Sequence, residues 1–207
     1  MTNQWLLRAL EESRARDFLG PVPFEQQIEH ATGFAQSWSD VAEGVPTSFL
    51  DLGSGGGLPG LVLFDLWRCQ ATFLDSMEKR TAFLREVLLW DGAPEGGHVE
   101  TGRAEALART PRLNESFDLV TARSFGPPAV AAECATRFLK VGGYLIVSEP
   151  PNDDSASRWK PDAVGQLGLH VIQRVRHGAA YQILKKVRAT PDRFPREVGV
   201  PGKSPLF

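Results

Sequence analysis

Ser48-Phe49-Leu50-Asp51-Leu52-Gly53-Ser54-Gly55-Gly56-Gly57-Leu58-Pro59-Gly60 is the stretch that decides how this chain folds. Residues 48–52 read as a short buried strand, an apolar run broken only by Asp51. A turn with five glycines in the eight positions 53–60 follows. Glycine adopts positive φ without penalty and lets the backbone approach a ligand closely, so such a density is costly unless it is used. Residues 58–67 read as the next helix, with Pro59 in its first turn, where a missing N–H does no harm. Strand, glycine turn and helix together open a doubly wound sheet, with the turn at the carboxyl edge where such sheets bind ligands.

The same alternation continues outward from this unit. Strands are predicted over 71–74, 98–101, 117–122 and 144–148, and helices over 78–90 and 130–139. Residues 169–175 and 181–187 are two further strands joined by a turn at His177-Gly178, a connection so short that the pair must be antiparallel. The chain therefore predicts a mostly parallel α/β sheet covered on both faces, ending in a hairpin. Upstream, 4–18 and 24–42 read as helices separated by Gly20-Pro21-Val22-Pro23. This gives an N-terminal helical extension over 1–46, the main domain over 47–188 and a tail over 189–207.

Composition limits the function classes. The chain has 207 residues, 42% of them hydrophobic, which suits one soluble domain. No run approaches the roughly 18 apolar residues of a membrane span, and nothing at the N-terminus reads as a signal peptide. Cys69 and Cys134 form no Cys-x-x-Cys pair, and the four histidines have no metal spacing, so neither a disulfide scaffold nor a metal centre is expected. A reducing, cytoplasmic setting is expected. Net charge is −2, yet the segment from Lys185 onward is +4 and the rest −6. That basic tail is a candidate phosphate-binding element beside the alternative of a solubilising end.

Two cofactors compete for the glycine loop. Gly55-x-Gly57-x-x-Gly60 satisfies the dinucleotide fingerprint, and Asp75 lies 20 residues beyond Gly55, where a ribose-binding acid belongs. Asp51 argues for the other. A strand-end carboxylate would repel pyrophosphate but suits a ligand carrying an ammonium group, such as the methionine part of S-adenosylmethionine. Asp75 would then accept the ribose hydroxyls, or alternatively cap the next helix. Gly102-Arg103-Ala104-Glu105 after the third strand is the candidate adenine site. Arg123 after the fourth strand faces the expected methyl-acceptor side, where it would hold a phosphate or carboxylate.

These residues resemble a known family. The loop 51–60 is similar to the signature of the ribosomal RNA small subunit methyltransferase G family, also called glucose-inhibited division protein B. The likeness continues through Leu74-Asp75-Ser76-x-x-Lys79-Arg80-x-x-Phe83-Leu84, Arg103-Ala104-Glu105 and Ala122-Arg123-Ser124-Phe125. It resumes in the tail, Pro191-x-x-Phe194-Pro195-Arg196-x-x-Gly199-x-Pro201-x-Lys203. The resemblance implies a class I, Rossmann-like methyltransferase with a seven-stranded, mostly parallel sheet. It implies methyl transfer from S-adenosylmethionine to N7 of a guanine in 16S ribosomal RNA, on the RNA or the small ribosomal subunit. The cofactor-binding residues would be Asp51, Gly53, Gly55, Gly57, Leu58, Asp75, Ala104, Glu105 and Arg123, without a general base. Arg193, Arg196 and Lys203 would bind RNA phosphate. The family's lysine after the fifth strand is absent here, where the chain reads Ser148-Glu149-Pro150. The alternatives are a methyltransferase for a small molecule or protein, or a non-catalytic S-adenosylmethionine-binding module.

Overall fold

A computed structural model describes residues 3–151 and 158–207. Helices α1 (Gln4–Ala15) and α2 (Phe24–Ser39) precede an alternating core. That core runs β1 (Ser48–Leu52), α3 (Gly60–Trp67), β2 (Gln70–Asp75), α4 (Glu78–Val87), β3 (Gly97–Thr101), α5 (Ala104–Leu107), β4 (Phe117–Ala122), α6 (Pro128–Thr136), β5 (Leu139–Glu149). It closes with α7 (Pro161–Gln166), β6 (Leu169–His177), β7 (Ala179–Lys186) and α8 (Val200–Lys203). The seven strands lie in the order β3-β2-β1-β4-β5-β7-β6. β5 and β6 both pair antiparallel with β7, and the remaining pairs are parallel. The strand order switches between β1 and β4, which opens a crevice above their carboxyl ends.

The two-residue period of the strands sorts side chains onto two cores. Phe49, Phe73, Leu119 and Ile146 point to one face, and Leu50, Leu52, Val120 and Leu145 to the other. The first face is covered by α1 through α4 and the second by α5, α6, α7 and the C-terminal residues. The N-terminal helices are thus one wall of the α/β core. Trp5, Leu6, Ala9 and Leu10 are buried there, and the Trp5 indole donates to the Val87 carbonyl at 2.8 Å. The C-terminal residues are equally committed. Phe194 is buried, and Arg137 and Arg109 donate to the carbonyls of Phe194 and Pro195 at 2.7 and 2.8 Å.

Several element boundaries differ from the sequence reading, among them those of α3, α6 and β5. α3 starts at Gly60, with Pro59 as its N-cap, because Leu58 belongs to the turn. α6 stops at Thr136 and β5 starts at Leu139, where Leu139 pairs with Phe117. The apolar run through Phe138 and Leu139 carries no period that separates helix from strand. The short helices α5, α7 and α8, of four to six residues, offered no periodic signal.

Candidate functional site

Asp51 lies one residue before the end of β1, in register with Thr121 on β4. It is 1% exposed, and both of its oxygens are occupied. Oδ1 accepts from the Thr121 hydroxyl at 2.9 Å and Oδ2 from the Gly60 N–H at 3.1 Å. Burial pushes its pKa up to about 6, against the opposing pull of these hydrogen bonds and of Arg123. Asp51 therefore ties the start of α3 to β1 and shapes the glycine loop from behind, and its carboxylate does not line the clefts described below. Gly60 packs against it so closely that a Cβ there would lie 2.5 Å from Asp51 Oδ2. Gly57 is likewise internal, its N–H donating to the Ser54 carbonyl at 2.7 Å. The loop's other side is backed by α1, whose Ser13 hydroxyl donates to the Gly56 carbonyl at 2.8 Å.

Asp75 ends β2 and faces the same loop. Its Oδ2 accepts the Gly55 N–H at 2.9 Å, its Oδ1 accepts the Met77 N–H at 2.8 Å, and Arg80 stands 3.5 Å away. Asp75 thus braces the loop and tethers Met77, the residue before α4, whereas α4 itself has no side-chain cap. Each oxygen keeps a second lone pair for a ligand. Gly53, Asp75, Ala104 and Glu105, which the sequence singled out separately, line one cleft of about 220 Å³, with Arg80 and Phe125 completing its walls. Gly53 has φ +73, and a Cβ there would sit 2.6 Å from the Phe125 ring.

Gly53, Gly55, Leu58 and Arg123 line a second opening of about 360 Å³, closed above by Phe18 and Gln27. Arg123, just past the end of β4, is the most unusual polar group of the site. Its Nη1 is buried without a hydrogen-bond partner among the described residues. Burial lowers its pKa, opposed by the charges of Asp51 and Tyr181. A third cleft, about 400 Å³, lies across Arg123 from the loop, between α2 and the ends of β4 and β5. Ser124, at φ +53, lines all three openings, which therefore form one continuous trough. A non-glycine residue in the left-handed region costs about 1 kcal/mol and is found where the surroundings impose it.

Charges at the rim are already matched. Glu105 is buried, and its carboxylate accepts from the Gly199 N–H and from Arg103, both at 3.0 Å, so the C-terminal segment closes against the Ala104–Glu105 side of the cleft. Burial would raise its pKa, but these donors outweigh it and hold the carboxyl below the usual range. Glu149 accepts from the Trp159 indole at 2.9 Å and pairs with Arg158. The carboxylate standing in place of the family's lysine is therefore neutralised. Of the three tail cations, Arg193 and Lys203 are exposed, with Arg193 over the Phe194 ring. Arg196 differs from the expectation of a free cation. It grips the fully buried Glu133 of α6 through its Nε at 2.9 Å and its Nη2 at 2.6 Å.

The trough resembles known proteins in sequence as well as shape. A family model for rRNA small subunit methyltransferase G matches residues 25–154. The chain belongs to that family. A ribosomal RNA small subunit methyltransferase G from Symbiobacterium thermophilum is 33% identical, covering 89% of this chain and 80% of its own. One from Deinococcus deserti is 34% identical, covering 76% and 68%. Membership extends to the fold. A putative O-methyltransferase from Klebsiella pneumoniae superposes with a TM-score of 0.62 at 13% identity, over 91% of this chain and 92% of that one. An S-adenosylmethionine-dependent methyltransferase from Aquifex aeolicus gives 0.53 at 14% identity, over 74% and 89%. The family fold is thus the class I methyltransferase sheet that the strand order displays.

Sequence reasoning missed Ser124, Phe125 and His30 as parts of the site. Ser124 and Phe125 immediately follow a strand end at the topological switch, and that position was the available signal. His30 was read as an ordinary packed or exposed histidine, because α2 reaches the crevice only through tertiary packing.

Proposed function

We propose that this protein transfers a methyl group from S-adenosylmethionine to N7 of a guanine in 16S ribosomal RNA, acting in the cytoplasm on the small ribosomal subunit. Family membership carries this reading, and the trough supports it. The fit to the cofactor rests on two features. Arg123 has an orphaned nitrogen beside the glycine loop, where the carboxylate of a methionine moiety would satisfy it. Asp75 has spare lone pairs facing the cleft that would receive the ribose hydroxyls. In this assignment Gly53, Gly55 and Leu58 line the methionine part, and Ala104 and Glu105 flank the adenine. Asp51 and Gly57 hold the loop's shape, and Arg193 and Lys203 remain exposed for RNA phosphate. S-adenosylmethionine, when bound, supplies the sulfonium methyl. Guanine N7 is an unprotonated lone pair, so the protein needs no general base, only walls that hold the base in line and exclude water.

The family lysine that this chain lacks bears on the acceptor, since a bare carboxylate in its place would favour something other than RNA. Glu149 is paired with Arg158 and Trp159, so it does not present an uncompensated negative charge to an incoming phosphate. The reading is tested by incubating labelled S-adenosylmethionine with small subunits, and with naked RNA, from a strain lacking the enzyme. Label recovered in a single 7-methylguanine is the expected result. No label, with cofactor binding intact, would overturn the acceptor and leave the cofactor assignment standing.

A further inference from the structure

The third cleft holds a polar group with no role in cofactor binding. His30 projects from α2 into the opening floored by Arg123, Ser124 and Phe125 and walled by Ser148 and Pro150. Its Nδ1 is buried with no hydrogen-bond partner among the described residues. Its ring is fixed nonetheless. It lies 6.0 Å from the Phe34 ring and 5.7 Å from the Tyr181 ring, and the Tyr181 hydroxyl donates to the His30 carbonyl at 2.6 Å. A buried polar nitrogen held in place and left unpaired is costly unless a ligand completes it. The neighbouring Arg123 nitrogen is orphaned in the same way, so two unpartnered polar nitrogens border one cleft.

We infer that this cleft receives the acceptor purine extruded from the RNA, and that His30 positions it by a hydrogen bond to the oxygen beside the reacting nitrogen. The inference rests on the methyltransferase reading above. A base must leave its stack to be reached, and a pocket that reads its edge and packs its faces is the usual device. Phe125 and Pro150 supply apolar surface for the faces. His30 is suited to the edge because it is uncharged. Burial, and then the Arg123 cation, lower its pKa to about 4. As N7 forms its bond to the methyl carbon and the carbon–sulfur bond breaks, positive charge passes to the purine. A neutral donor orients the base without adding a second cation against that charge. His30 is thus a positioning residue, and no proton moves through it.

The test uses the full chain and small subunits lacking the modification. His30→Phe keeps the ring and its packing and deletes the nitrogens, and His30→Gln restores an amide donor. In His30→Phe, kcat/KM for small subunits should fall about tenfold, the worth of one buried hydrogen bond, with Kd for S-adenosylmethionine and Tm unchanged. His30→Gln should recover part of the loss. Wild-type kcat/KM in His30→Phe would overturn the inference. So would a parallel loss of cofactor affinity, which would move His30 to the cofactor side. If His30→Phe does not fold, His30→Leu, which likewise lacks a ring nitrogen, takes its place, and wild-type kcat/KM or a parallel loss of cofactor affinity in it overturns the inference equally. Failure of the wild-type protein to label the subunit would instead sink the methyltransferase reading on which the inference stands.

Discussion

Arg196, in the C-terminal segment, and Arg123, just past the end of β4, are both arginines, and the structure treats them oppositely. Arg196 meets a fully buried carboxylate, Glu133, through several hydrogen bonds. Arg123 sits at the centre of the trough with a buried nitrogen left unpaired. The C-terminal region is finished by the protein itself, whereas the trough is left incomplete. A protein can be rigid where its own groups satisfy one another and still carry unmet hydrogen-bonding capacity where a ligand is to bind.

The largest effect that would break this contrast is in stability. Arg196→Ala removes the cation facing buried Glu133 and leaves it only the backbone N–H of residue 196, which should cost about 3 kcal/mol. Urea unfolding of both proteins measures it directly. A loss below about 1 kcal/mol would mean that Glu133 finds another partner, and that the C-terminal region is no better satisfied than the trough.

Asp51 gives the next effect, with a defined sign. Its folded pKa of about 6 lies above its ordinary value of 3.8, so folding penalises the ionised form. Below about pH 4 both states are protonated and the penalty is absent; it grows as pH rises and is complete above about pH 6. A rise of that size corresponds to about 3 kcal/mol. The stability of the wild-type protein relative to Asp51→Asn should therefore fall as pH rises from 4 to 7. A flat difference would show that the carboxylate is not penalised, and that its hydrogen bonds to Thr121 and Gly60 offset burial fully.

How much of this was legible in the sequence follows the same division. β1 and β4 were read to the residue, because a mostly apolar run of five or six residues between a breaker and a turn leaves little choice. The glycine loop, Asp75 and Arg123 were found because each follows a strand end, where an α/β sheet presents its ligand-binding residues. The pairing of Arg196 with Glu133 was hidden. The two lie 63 residues apart, and a lone arginine in a basic tail looks the same whether it faces solvent or a buried acid. The role of Asp51 was half legible. Its place beside the loop was visible, but its bond to Thr121 depends on the register of two strands 70 residues apart. His30 was seen but given no role in the site, for the reason that makes α2 part of the core: the packing of Phe34 and Tyr181 carries it to the trough.

Arg123 itself sharpens the comparison. Arg123→Met removes a buried cation whose guanidinium is incompletely paired and keeps most of its volume. Without cofactor, Tm should match or exceed that of the wild-type protein, the reverse of Arg196→Ala. The Kd for S-adenosylmethionine should rise by one to two orders of magnitude, the worth of a charge-assisted hydrogen bond of about 1.5–3 kcal/mol. Calorimetric titration reads the affinity and a thermal melt reads the stability. A destabilised Arg123→Met would show that the guanidinium is satisfied in the free protein.

The smallest effect separates shape from charge within the trough. Gly53 and Gly55 both have positive φ, +73 and +54. Alanine at either costs roughly 1 kcal/mol of backbone strain. They differ in what a Cβ would meet. At Gly53 it would lie 2.6 Å from the Phe125 ring, while at Gly55 the nearest atom is the Gly53 carbonyl oxygen at 3.8 Å. Gly53→Ala and Gly55→Ala should therefore lose similar stability, yet only Gly53→Ala should push Phe125 out of its place between the first and third clefts. A several-fold greater loss of cofactor affinity and of methyl transfer in Gly53→Ala than in Gly55→Ala is the expected result. Equal losses would mean that the loop's conformation alone sets the affinity, and that Phe125 is no more than a wall that yields.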